Sequence, residues 1–184
     1  MKTKKTIDDE EMIGEFKALV NLSDADFVVM KKHRDFIEKI VDFLVDDFYT
    51  FLPYHPSTAK LFAPWMNEKR KKQLRQLLID ATQGNVPFKA LFVVGFKHIQ
   101  NGVSPRYPLA MISRIQNTFT SLAFQMLQNK EAQNLSSAFN KLTAIIGIIF
   151  VYSFNSAISE FSGMTPELLE KMAKLGGVKK SSIT

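Results

Sequence analysis

The stretch 142–154 is apolar on nearly every side of a helix, with only Thr143 and Ser153 interrupting a run that includes Ile145, Ile146, Ile148, Ile149, Phe150, Val151 and Tyr152. A helix that is hydrophobic all round has to be covered all round. The rest of the chain must therefore wrap this element. Its greasiest part, 144–154, falls well short of the roughly 20 apolar residues that cross a bilayer, so a buried core helix and no membrane span are expected. One face is expected to pack on the core and the opposite face to meet a second subunit.

No convincing period-two alternation, internal repeat, low-complexity tract or long linker interrupts the chain, and the apolar residues recur at three and four. The fold class is all-α. A first helix is expected over about 8–19, with Met12, Phe16, Leu19 and Val20 on one face, and Ser23 and Asp24 offer caps for the next. Two helical segments in near continuity follow over 25–52, carrying Phe36, Ile40, Phe43, Leu44 and Phe48, until Pro53 stops them. Further helices are expected over 56–62, 67–83 with Leu74, Leu77, Leu78 and Ala81 inward, 87–101, 105–129 with Leu109, Ile112, Ile115, Phe119, Leu122 and Met126 as its stripe, and 130–161. A short capped helix over 165–172 closes the series.

At 184 residues, with 46% hydrophobic residues, 16 Phe and eight Met, the chain is long enough for one domain with a full core, and its composition suits a cavity of irregular shape. The absence of cysteine excludes disulfides, thiolate ligation and covalent attachment of a haem. Met1 to Lys5 is followed at once by Asp8, Asp9, Glu10 and Glu11, which is no secretory signal, so the expected location is cytoplasmic. The net charge of +6 is densest at Lys69, Arg70, Lys71, Lys72 and Arg75. Without interleaved aromatics or a recognition-helix motif, that run is expected to be a solvated helix face, with no nucleic-acid partner.

The chemistry-bearing segment is 95–107. Leu91, Val94, Gly95 and His98 fall at i, i+3, i+4 and i+7, so the imidazole shares a helix face with two aliphatic side chains and one residue without a side chain, just before a Gly/Pro break. A flat apolar ring could lie on that face. His33 stands among Lys31, Lys32 and Arg34 with no metal-ligand partner at i+3 or i+4; His55 precedes Pro56 in a turn, and Trp65 is expected to pack near a corner.

The pattern G-x-x-H-x-x-x-G-V-x-P-R-Y, spanning Gly95 to Tyr107, resembles the proximal-histidine segment of the globin-coupled sensor family, which includes single-domain sensor globins. The helix containing Phe48 and Tyr49 resembles the family's distal helix, and the likeness covers about 22–161. Pro108 replaces the family's second aromatic after Arg106, and the link from Gly84 to His98 is short. The resemblance implies a globin-like fold with an extra N-terminal helix and a short C-terminal helix, as a single domain over 1–184 with its core at 22–161 and an extension at 162–184.

It further implies a haem-binding gas or redox sensor. Non-covalent haem b (iron protoporphyrin IX) would take His98 as its metal ligand, leaving a position for O2, CO or NO. The second ring nitrogen of His98 then needs an acceptor, either a backbone carbonyl of its own helix or a neighbouring side chain, which the sequence does not name. Tyr49 is the distal hydrogen-bond donor by this resemblance, Phe48, Leu74 and Leu78 wall the pocket, Leu91, Val94 and Gly95 lie beside His98, Gln73 adds a polar contact and Arg70 reaches a propionate. The chain is either an excised sensor domain or one that acts alone. No catalytic acid–base pair points to an enzyme, and a homodimer through the helices at 105–129 and 130–161 is expected. The alternative is a haem-free globin-like signalling module acting through helix packing and dimerisation.

Overall fold

The computed structural model describes residues 9–54, 56, 59, 68–164 and 168, and among these there is no strand. Among the described residues seven α-helices are delimited: α1 (Asp9–Leu19), α2 (Asp24–Lys32), α3 (Arg34–Phe51), α4 (Glu68–Thr82), α5 (Phe88–Gln100), α6 (Arg106–Met126) and α7 (Asn129–Ser162). The helices expected over 56–62 and 165–172, together with His55 and Trp65, lie wholly or largely outside the described residues. The near-continuous segment divides at His33, which closes α2 and opens α3. At Pro53, which has no N–H to continue the α-helix, the chain passes into the 3-10 turn Leu52–Tyr54.

α7 is the element the others cover. It packs most extensively on α6 and α5, and also on α2. Its inward residues Leu135, Phe139, Leu142, Ile145 and Ile149 are buried in one continuous core with Met30, Ile37, Val41, Leu44 and Phe119. At the centre the rings of Phe119 and Phe139 stack with centroids 3.7 Å apart and planes 5° from parallel. The helix is 34 residues long with a mean hydropathy of 1.7 in its most apolar window. It is thus long and apolar enough to cross a membrane by length and composition alone, whereas the shorter run 144–154 is not. Its packing on five other helices is that of a core element.

Several apolar residues face elsewhere than expected. Leu19 is 69% and Phe43 57% exposed, leaving Phe16 to anchor α1 and Ile37, Ile40, Val41 and Leu44 to form the buried stripe of α3. In α6 the buried stripe is Met111, Ile115, Phe119 and Ala123, so Leu109 and Met126 lie outward. These helices carry apolar residues on more than one side, and only contact with their neighbours, α4 and α6 for α3 and α7 and α3 for α6, selects the side that is buried.

Polar ties fix the helices to one another. The Asp47 carboxylate on α3 accepts two hydrogen bonds from Arg114 on α6, at 2.7 and 2.9 Å, and that guanidinium lies over the Phe51 ring. Lys71 and Arg75 of the basic run reach Asp46 and Asp42 at 2.8 and 2.6 Å. The run is therefore in part a strap between α4 and α3.

Candidate functional site

The C-terminal half of α3, α4, α5 and the middle of α7 enclose a cavity of about 600 Å³, a size in the usual range for small-molecule pockets. Phe48, Tyr49 and Leu52 come from α3 and its turn; Arg70, Gln73, Leu74 and Leu77 from α4; Ala90, Leu91, Val94, Lys97 and His98 from α5; Ile146 and Phe150 from α7; and Pro87 and Val103 from the segments flanking α5. The lining is mostly aliphatic and aromatic. Its polar groups are one imidazole, one phenol, one amide and two cations.

His98 is held in the last turn of α5 by the way that helix ends. Gly102 takes a φ of 75°, a left-handed conformation natural to glycine. This lets the Val103 N–H donate to the His98 carbonyl at 2.9 Å and the Gly102 N–H to Ile99 at 2.9 Å. Val103 then packs with Leu52 and Met111. The His98 ring is oriented on two sides. Its Nδ1–H donates to the Val94 carbonyl one turn back at 2.7 Å, and Phe150 meets it edge-on with centroids 5.3 Å apart. With Nδ1 carrying the proton, Nε2 is the nitrogen of this tautomer with a lone pair. Burial depresses the imidazole pKa below the ordinary histidine value; the Val94 bond opposes this and the positive charge of Arg70 adds to it. The ring is neutral at pH 7.

Tyr49 sits near the end of α3 with its ring edge-on to Phe48, centroids 5.1 Å apart. Burial raises its phenol pKa, against the opposing charges of Arg70 and Lys71, so the hydroxyl keeps its proton and remains a donor. Arg70 bonds Gln73 at 3.2 Å, which places both residues together at the cavity edge.

Of the residues singled out in the sequence, His98, Tyr49, Phe48, Leu74, Leu91, Val94, Arg70 and Gln73 border this one cavity. Leu78 and Gly95 do not: Leu78 is buried in the main core, and Gly95 lies against Ser153 and Phe150 of α7. Ile146, Phe150, Leu77, Ala90 and Lys97 were missed. Ala90 and Lys97 flank Val94 at i−4 and i+3, on the helix face that Val94 presents to the cavity. Ile146 and Phe150 lie in a helix apolar on every side, where periodicity cannot tell inward from outward.

The Protoglobin family model matches residues 9–154. The chain belongs to the Protoglobin family. A comparison with curated proteins found no match. Among solved structures, this Protoglobin member is similar to the globin domain of the Geobacter sulfurreducens globin-coupled sensor, with 20% identity, a TM-score of 0.68, and coverage of 77% of this chain and 96% of that one. That likeness establishes a globin fold. Globins as a family imply haem, and the residues of this cavity fit one. Among the described residues no group of three or more His, Cys, Asp or Glu could hold a bare metal ion, so a lone oriented imidazole suits a metal that arrives already chelated. The apolar walls suit a ring, and Arg70 and Lys97 suit anionic substituents at its edge.

Proposed function

We propose that this Protoglobin-family chain binds haem b through His98 and senses a diatomic gas, O2, CO or NO. The observation that carries the reading is the His98 imidazole in an apolar cavity, neutral and held by its Nδ1–H on the Val94 carbonyl. A histidine that ligates a metal through one nitrogen is characteristically fixed by a hydrogen bond at the other. When bound, the haem supplies an iron whose remaining position takes up the gas.

The chain's own residues do the rest. Val94 fixes the imidazole tautomer, and Phe150 limits its rotation. Phe48, Leu74, Leu91 and Val94 would pack against the haem's apolar surface, while Arg70 and Lys97 would pair with its carboxylates. Tyr49, whose hydroxyl stays protonated in its buried setting, donates a hydrogen bond to a ligand that gains negative charge on binding; such bonds are the stronger kind. The sensing role, the cytoplasmic location and a homodimer through α6 and α7 belong to this same reading. The support for the dimer is an outward apolar groove of about 410 Å³, lined by Leu109, Ile112, Gly147, Ile148 and Val151 among others, which a second copy of the same two helices would fill.

Titration of the purified chain with hemin tests the reading, followed by absorption spectra of the ferric, ferrous and CO-bound forms. A saturable one-to-one Soret band that shifts on reduction and on CO addition is expected. Absence of saturable uptake would leave the haem-free signalling module in its place.

A further inference from the structure

Gly95 stands in the middle of α5, where glycine is among the poorest helix formers, and it contacts α7 rather than the cavity. A Cβ added there would lie 2.7 Å from Ser153 Oγ, 2.9 Å from Ser153 Cβ and 3.4 Å from a Phe150 ring carbon. Ser153 has no room to withdraw. It is wholly buried, its Cβ is fixed to the α7 backbone, and its Oγ lies 2.7 Å from the Ile149 carbonyl of its own helix and 3.2 Å from the Phe92 carbonyl of α5. Any side chain at position 95 therefore lifts α5 from α7.

The contact lies one turn from the imidazole on both helices. His98 follows Gly95 by three residues, and Phe150, which meets the His98 ring edge-on, precedes Ser153 by three. Spacing between the helices at Gly95 thus sets how far His98 projects into the cavity and whether its ring keeps its contact with Phe150. We propose that Gly95 and Ser153 form a seat that fixes the depth and orientation of His98, Gly95 being a positioning residue that acts through the imidazole. The proposal rests on the reading of His98 as the haem ligand only for its effect on haem affinity. The geometric effect on the ring belongs to the chain alone.

The test compares wild type, Gly95→Ala, Ser153→Gly and the double variant G95A/S153G, which gives the added Cβ back its space. Two quantities are read: hemin affinity by absorption titration, and the 1H–13C resonances of the His98 ring in the haem-free chain, with far-UV circular dichroism as the check on folding. Gly95→Ala should remain helical, weaken hemin binding about 10- to 100-fold, as loss of support for a metal ligand does, and move the His98 resonances. Ser153→Gly alone, which opens space without pushing the helices apart, should move both readings less than Gly95→Ala does, and the double variant should bring both back towards wild type. Wild-type affinity and ring resonances in Gly95→Ala, or a defect that persists in the double variant, would overturn the proposal. Should Gly95→Ala not fold, recovery of folding and of the wild-type ring signals in the double variant supports the seat, and continued unfolding refutes it. If wild type takes up no hemin, the haem reading fails while the ring resonances still decide this one.

Discussion

At Tyr49, burial raises the phenol pKa by more than the neighbouring cations Arg70 and Lys71 lower it, so the hydroxyl keeps its proton. A donor that need not be desolvated anew on gas binding contributes most to a ligand that becomes polar. Tyr49→Phe should accelerate O2 dissociation about ten- to a hundredfold, the equivalent of roughly 1.5–3 kcal/mol for a hydrogen bond to a charged group, and change CO dissociation little. Stopped-flow release of both gases checks this; equal effects on the two would mean that the hydroxyl acts by bulk. At this scale His98 and Tyr49 were legible because each stands in a motif, while the acceptor of the His98 proton could be expected only as a class. Gly95 shows the limit: spacing put it on the imidazole's face, but α7 approaches there, and no property of α5 alone announces Ser153.

Between elements, the start of α2 is tied to α7 by Asp26. Its carboxylate accepts from the Ser23 N–H at 2.8 Å, the Ser23 hydroxyl at 3.0 Å and Lys141 at 2.9 Å. Burial alone would raise its pKa, but the bonds from the Ser23 backbone, Lys141 and the Ser23 hydroxyl outweigh it and hold the value below 3.8. A carboxyl whose folded pKa is depressed contributes stability that is complete above its unfolded value and is lost as pH falls through the folded one. Asp26→Asn should therefore lower unfolding free energy by about 1–2 kcal/mol at pH 7, and the difference from wild type should shrink as pH drops below 3.8; urea titrations at neutral and acid pH measure it. Among the described residues, helix ends were readable from Pro, Gly and capping residues to within a few positions. Which faces they bury was less so, because α3 and α6 carry apolar residues on more than one side, and Phe43 and Leu109 compete with the residues that neighbouring helices cover.

Across the whole molecule, Leu109 and Val151 remain 39% and 38% exposed beside the groove between α6 and α7. The same two helices from a second copy can meet there by twofold symmetry, which is the commonest closed assembly. Light scattering at micromolar concentration should give about twice the 20.9 kDa chain mass, and Val151→Glu should shift it towards that mass without loss of helicity; a monomeric wild type would rule the dimer out. That one long apolar helix needs cover on all sides was plain in the sequence, but which neighbours cover it depends on contacts far apart along the chain. The central claim is that His98 holds haem iron, and paired absorption spectra of wild type and His98→Ala after hemin titration test it most directly. Wild type should give a stoichiometric Soret band and His98→Ala should lose nearly all of it, with helical content unchanged since few packing atoms are removed. A variant that retains haem with an unaltered spectrum would contradict it.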